Sequence, residues 1–363
     1  MITAFIRSSP PENPPRVRAK RPCREPLSDV RGSESTHSTS STSVSHIRPC
    51  YHRSVPERVF EGVVPALVTP FREDERIDFG AWQSAIDTQI AAGVDGLFAC
   101  GSGGEFALLS TEERRVALRF CRQAAAGRVP VYGNVGAVTT SESVELAQAA
   151  QSAGVDVVVV VTPYYIKPSQ QELAEHFIEV CRAVNLPVVA YNFPLHGGVE
   201  LAAETLGRIA SACENLVGVK DSSGRLDQAL AYLDCAPGRK LAVFEADESL
   251  ILPALERGCA GTVTASANLC PKLFVDLYRA HREGRREEAA RLQSLAAEVG
   301  ALNGLHTFPD VVKEAMGMAG MNVGPCRRPI RQMPDEARRR VATVIERLRA
   351  HKYLPVAGRF QAA

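Results

Sequence analysis

Short apolar runs recur along the chain from about residue 63 and alternate with segments of helical period. The runs are Val64–Val68, Gly96–Cys100, Val129–Gly133, Asp156–Val161, Pro187–Tyr191, Leu216–Lys220, Leu241–Glu245 and Gly261–Ala265. They are continuously apolar and show no in–out alternation, which is the pattern of parallel strands buried on both faces. Between them, Thr111–Phe120 carries Val116, Leu118 and Phe120 among charges, with Ser110 or Thr111 available to cap its start. Ser169–Val184 places Leu173, Phe177, Val180 and Cys181 on one face. Eight strand–helix units of this spacing predict an α/β fold, a (β/α)8 TIM barrel. No GxGxxG follows the first run, which argues against a dinucleotide-binding sheet. Further helical pattern over Pro271–Arg282, Arg286–Val299, Val311–Met318 and Asp335–Ala350 predicts additional C-terminal helices packed on the barrel.

The domain layout expected from this pattern is an extension over 1–57, the barrel over 58–268 and a C-terminal helical region over 269–353. The first stretch is rich in Ser, Pro and Arg and poor in acids, so it cannot bury enough apolar surface to order itself and is expected to be disordered. Its composition is similar to an organelle transit peptide, but it has no long amphipathic helix or apolar core of a signal. An upstream start codon would leave the same trace.

Composition narrows the function classes. Among 363 residues, Lys plus Arg number 42 and Asp plus Glu 41, for a net charge of +1. That balance argues against a nucleic-acid or anionic-membrane coat. The longest apolar run, Val157–Val161, is far shorter than the ~20 residues that cross a bilayer. The ten cysteines form no CxxC pair and several sit in apolar runs, which reads as free thiols of a cytoplasmic protein.

In a barrel of this kind the working groups stand at the C-terminal ends of strands. Lys220 ends the sixth run, where burial on an apolar strand favours the neutral amine that attacks a ketone. A lysine there is equally compatible with reaching solvent or pairing with Asp221. Tyr191 ends the fifth run and is either a proton donor and acceptor or a core aromatic. Gly101-Ser-Gly-Gly-Glu105 follows the second run; glycines let backbone N–H groups of Gly103 and Gly104 approach a small carboxylate, and Ser102 adds a hydroxyl. A plain turn would look the same. Tyr165 follows the fourth run and could reach its own site, a neighbour's across an interface, or only the rim.

This constellation resembles the dihydrodipicolinate synthase / N-acetylneuraminate lyase family of class I, Schiff-base aldolases. The resemblance spans about residues 60–349 and rests on Pro65-Ala-Leu-Val-Thr-Pro-Phe71, Gly101-Ser-Gly-Gly-Glu105, Thr162-Pro-Tyr-Tyr165, Tyr191-Asn-Phe-Pro194 and Gly218-Val-Lys-Asp-Ser222. It implies a barrel with three C-terminal helices and usually a homotetramer acting on a small-molecule 2-oxo acid, with no metal and no organic cofactor. By the same resemblance Lys220 is the Schiff-base lysine, Tyr191 moves the proton, Ser102 and Tyr165 relay it, and the backbones of Gly103 and Val263 touch the 2-oxo acid. His196 and Ser222 would line the distal pocket. Two positions depart from the family pattern. Gly103 stands where a hydroxyl or amide side chain is usual. His196 stands where synthases of the lysine pathway carry the Arg that holds the carboxylate of the aldehyde.

The function this implies is cleavage or formation of a C–C bond in a hydroxylated 2-oxo acid, such as 4-hydroxy-2-oxoglutarate or a keto-deoxy sugar acid, with pyruvate as one partner. The segment Val323-Gly-Pro-Cys-Arg-Arg-Pro329 is similar to members of that kind. The alternatives are a 4-hydroxy-tetrahydrodipicolinate synthase and a keto-deoxy sugar-acid dehydratase of the same family. A metal-dependent aldolase would need a cluster of ligands at strand ends, and of eight histidines only His196 follows a strand. A non-catalytic barrel would have lost the amine or the phenol.

Overall fold

Every predicted apolar run lies on a strand or on extended chain bonded to one. The computed structural model describes residues 60–354, so the expectation of disorder over 1–57 lies outside the described residues. The strands are β1 (Gly62–Val63), β2 (Leu97–Ala99), β3 (Val131–Asn134), β4 (Val157–Val161), β5 (Val188–Asn192), β6 (Leu216–Asp221), β7 (Ala242–Glu245) and β8 (Gly261–Thr262). They form one parallel sheet in the order β1-β8-β7-β6-β5-β4-β3-β2. An isolated parallel bridge, Ala66 to Phe98, joins the two outer strands and closes the barrel.

The first ladder is shorter than its apolar run. Pro65 has no N–H to donate, and pairing resumes only at Ala66, whose N–H donates to the Thr264 carbonyl at 2.9 Å. Close approach of β1 and β8 requires Gly261, where a Cβ would stand 2.0 Å from the Gly62 carbonyl oxygen.

The helices of the barrel wall are α1 (Phe79–Ala91), α2 (Thr111–Ala125), α3 (Thr140–Ser152), α4 (Gln170–Arg182), α5 (Pro194–Gly197), α6 (Ala203–Ala212), α7 (Leu226–Asp234), α8 (Ile251–Glu256) and α9 (Pro271–Arg282). Ser110 caps α2 and Ser169 caps α4, each in a reciprocal capping box with the Glu three residues on. α9 follows β8 and packs on β1 as the eighth major wall helix. Beyond it come α10 (Arg286–Ala301), α11 (Asp310–Met318) and α12 (Asp335–Ala350). Among the described residues no helix is long and apolar enough to cross a membrane.

One irregularity bears on the site. Between β5 and β6 the register runs Val188 to Leu216 and then Val189 to Gly218, so Val217 has no partner. This bulge puts Tyr191 opposite Lys220 and Asn192 opposite Asp221. Tyr191 and Lys220 then point into the barrel, where Phe98, Tyr132 and Phe244 also meet edge to face with their neighbours. Asn192, Asp221 and Glu245, successive register partners, point the other way toward the helices.

Candidate active site

The upper end of the barrel holds a cavity of about 420 Å³ lined by Lys220, Tyr191, Ser102, Gly103, His196, Ser222 and Val263 among others. Lys220 Nζ lies 4.1 Å from the centroid of the Tyr191 ring and 4.9 Å from that of Phe98. Among the described residues it has no hydrogen bond and no ion pair, and Asp221 points away from it. Asp221 instead accepts from Asn192 Nδ2 at 2.8 Å and from Ser223 Oγ at 2.7 Å. The alternative of a Lys220–Asp221 pair is therefore removed. Lys220 is only 5 % exposed, so the amine is kept from bulk solvent as well.

The Tyr191 hydroxyl stands 3.3 Å from Ser102 Oγ, and either can be the donor. Ser102 rides on a loop set by two left-handed residues, Cys100 (φ 55°) and Glu105 (φ 57°). Asn134 Nδ2 donates to the Cys100 carbonyl at 2.8 Å, which fixes the first. The second is held by a buried ion pair: Lys313 Nζ lies 2.9 Å from Glu105 Oε1, and Arg327 N–H donates to Glu105 Oε2 at 2.9 Å. Between these anchors the N–H groups of Ser102 and Gly103 have no protein acceptor among the described residues. They are free to receive a carboxylate.

Gly104 departs from expectation. Its N–H donates to the Gly101 carbonyl at 3.0 Å and its carbonyl accepts from Thr69 Oγ1 at 2.7 Å, so it closes the turn and offers nothing to the cavity. Gly103 has a steric role as well: a Cβ there would stand 3.1 Å from Ala265 Cβ, with the Phe308 ring 3.7 Å away. Phe308 occupies the side where a longer residue would project.

Tyr165 is also not brought to this chain's cavity. It is 95 % exposed with φ 72°. Its neighbour Tyr164 turns inward, meets Phe106 edge to face at 5.4 Å, and lines a second, apolar cavity of about 250 Å³. The two cavities share Ser102, Phe193, His196 and Phe308.

His196 sits on α5 with its ring stacked on Phe193 at 4.3 Å. Partial burial holds it below the usual imidazole range, which keeps it neutral near pH 7. Arg225 does not compensate for the missing guanidinium: it is paired with Glu200 at 3.1 Å and does not line the cavity.

The far wall holds two residues that the strand-end reading passed over, Asp247 and Glu248, in the loop after β7. Glu248 is buried, accepts from Thr264 Oγ1, and is pressed against Gly300 of α10. Burial pushes its carboxyl up. A run of Asp-Glu-Ser before a helix reads locally as an ordinary solvated turn, so only the fold reveals it. Lys313 was hidden for a similar reason, being on a helix that contributes nothing else to the site.

The profile of the dihydrodipicolinate synthetase family matches residues 59–348. A 4-hydroxy-tetrahydrodipicolinate synthase of Methanothrix thermoacetophila is 34% identical over 290 residues, covering 80% of this chain and 97% of the relative. A probable 2-dehydro-3-deoxy-D-pentonate aldolase of Escherichia coli K12, YjhH, is 36% identical over 301 residues, 82% of this chain and 99% of the relative. The crystal structure of YagE, an E. coli K12 prophage protein of the dihydrodipicolinic acid synthase family in complex with pyruvate, superposes with a TM-score of 0.76 at 32% identity, covering 81% of this chain and 99% of that one. The (β/α)8 barrel, the motifs and these likenesses agree: the chain belongs to the dihydrodipicolinate synthetase family and is a lyase of the aldolase type.

Proposed function

We propose that the protein cleaves a hydroxylated 2-oxo acid through a Schiff base on Lys220, releasing pyruvate. The observation that carries this reading is an unpaired, buried amine whose register partner is a phenol, in one cavity with unspent N–H groups at its near end. The substrate carboxylate is received by the Ser102 and Gly103 N–H groups, and Val263 backs the 2-oxo carbon. Lys220 Nζ attacks the C2 ketone and water leaves. The iminium then takes up the electron pair of the C3–C4 bond as that bond breaks, leaving the enamine of pyruvate. Tyr191, coupled to Ser102, removes the proton of the C4 hydroxyl and returns a proton to C3. Water releases pyruvate and restores the amine. No metal or organic cofactor takes part.

The far wall narrows the substrate. Asp247 and Glu248 accept hydrogen bonds from hydroxyl groups and offer no cation to a second carboxylate. Among the described residues no Arg lines the cavity. That combination suits a keto-deoxy sugar acid, with Ser222 and His196 at the side of the chain of hydroxyls. Condensation of pyruvate with aspartate semialdehyde, the synthase reaction, is the second reading, and the relative from Methanothrix supports it by name.

We also propose a homotetramer in the cytoplasm. Tyr165 and Ile166 in the segment after β4 are 95 % and 45 % exposed and Leu195 on α5 83 %, and a second copy covering them would bring Tyr165 to a site. The described cysteines are all free, as in a reducing compartment.

The test is sodium borohydride with pyruvate, followed by peptide mass analysis. A reduced pyruvyl adduct on Lys220 is expected. No adduct in the wild type, or one that persists in Lys220→Ala, overturns the mechanism. A panel of 2-oxo acids assayed for pyruvate release with lactate dehydrogenase then identifies the substrate class.

A further inference from the structure

Cys181 and Cys213 lie on the outer layer, and neither lines the reaction cavity. Cys181 is in the last turn of α4, and Cys213 ends α6, the helix packed beside it. Across the contact of α4 with α6 the two thiols are close enough for each to shift the other's ionisation. Cys213 Sγ also lies 3.9 Å from the carbonyl oxygen of Ile178, one turn earlier on α4. The chain just past Cys213 is pinned to the same place. Asn215 Nδ2 donates to the carbonyls of Cys181 at 2.8 Å, Leu186 at 3.1 Å and Val184 at 3.3 Å.

The pair is electrically unequal. Arg239 donates to the Cys213 carbonyl at 3.1 Å, and Arg182 follows Cys181 directly. The hydrogen bond from Cys181, helped by these two guanidinium groups, holds the Cys213 thiol below the usual thiol range although burial opposes it. The same hydrogen bond, with burial, pushes Cys181 well above that range. Cys213 is 5 % exposed and Cys181 1 %. Of the two sulfurs, Cys213 thus has the thiolate character and the larger exposure, and Cys181 keeps its proton beside it. Cys100 shows the contrast: it is fully buried and burial pushes it up to about 12, the state of an inert core thiol.

We infer that Cys213 and Cys181 are a reversible redox modification site, in which Cys213 reacts with a hydroperoxide and Cys181 resolves it to a disulfide across α4 and α6. The Cys213 thiolate attacks one peroxide oxygen, the O–O bond breaks, and the departing hydroxide takes up a proton to become water. The product is a sulfenic acid. The Cys181 sulfur attacks it, the S–O bond breaks, and the hydroxyl leaves as water with the Cys181 proton. Two thiols and one hydrogen peroxide give one disulfide and two waters. The sulfurs together lose two electrons and the peroxide gains them. The closed loop encloses β5, and with it Tyr191.

The test uses the full wild-type chain, so it does not depend on how variants fold. The protein is treated with a small excess of hydrogen peroxide at neutral pH, alkylated after denaturation, digested and analysed by mass spectrometry. A peptide linked through Cys181 and Cys213, lost on reduction with dithiothreitol, is the expected product. An upward shift of the unfolding midpoint on oxidation, reversed by dithiothreitol, should accompany it. In Cys181→Ser a 1,3-dione trap should mark Cys213 as sulfenic acid. If Cys181 and Cys213 are recovered alkylated while other cysteines are oxidised, or if Cys213 links to a different cysteine, the assignment fails.

Discussion

Lys313 and Glu105 form an ion pair with both side chains out of contact with water, although 208 residues separate them in the chain. Lys313 Nζ also donates to the carbonyls of Thr69 at 2.8 Å and Pro325 at 2.7 Å. The pair ties α11 to the loop that carries Ser102. Its geometry saturates the ammonium with three oxygens, the condition under which a buried pair offsets its desolvation.

Removing one partner strands a buried charge. Lys313→Met should lower the unfolding free energy by about 3–5 kcal/mol. Glu105→Gln with Lys313→Met should recover part of that loss, because no charge is then left unpaired. Urea unfolding monitored by circular dichroism checks both. Equal stability of Lys313→Met and wild type would show that the pair does not hold the loop.

Tyr191→Phe should still form the imine with pyruvate, because Lys220 is untouched, but turn over roughly 10²–10⁴-fold more slowly. Ser102→Ala should slow turnover less than Tyr191→Phe, since the tyrosine keeps its hydroxyl. Borohydride trapping reads the imine, and steady-state kcat reads the proton transfer. Wild-type turnover in Tyr191→Phe would take the phenol out of the reaction.

His196 bears on substrate choice. A lost charge-assisted pair costs roughly 1.5–3 kcal/mol, about ten- to a hundred-fold in specificity. The wild type should therefore cleave a hydroxylated 2-oxo acid with a higher kcat/KM than it condenses pyruvate with aspartate semialdehyde. His196→Arg should narrow that ratio. Both reactions measured in one preparation decide the matter, and faster condensation in the wild type would make the protein a synthase.

Glu245 predicts a pH dependence of stability. Burial pushes its carboxyl from the ordinary 4.5 up to about 8, while Oε1 accepts from the N–H groups of Ala246 at 2.9 Å and Asp247 at 2.8 Å and Oε2 has no partner among the described residues. The native state keeps this proton where the unfolded chain has released it. Between those two values the unfolded state binds fewer protons, so stability falls as pH rises, by at most about 5 kcal/mol in all. Glu245→Gln should remove that share of the slope and be the more stable form at about pH 8. Parallel stability curves for the two proteins would contradict it.

Much of this was legible from local pattern. The valine run of β4, the capping serine of α2 and the limits of α9 and α12 follow from periodicity, β-branching and cap chemistry, which act over a few residues. Lys220 and Tyr191 were legible as strand-end polar groups on apolar runs. The Lys313–Glu105 pair was not, because a partnership across the fold leaves no periodic trace. Asp247 and Glu248 looked like a solvated turn, and the burial of Glu248 depends on α10 closing over it. Tyr165 carries a family signature, yet within one chain it stands in solvent.

The unpaired Val217 has a consequence for how this scaffold can be altered. Side chains alternate along a strand, and the bulge reverses the alternation of β6 relative to β5. Continuing the register of Val188 and Leu216 would set Lys220 beside Asn192, facing the helices, and aim Val219 and Asp221 into the barrel. A slip that paired Val217 with Val189 would thus replace a nucleophile with a carboxylate while every reactive side chain remained in the chain, whereas excision of Val217 would leave Lys220 beside Tyr191. An engineer grafting new loops onto the mouth of this barrel has freedom there, but must treat the closed end of β6 as the part that encodes the chemistry.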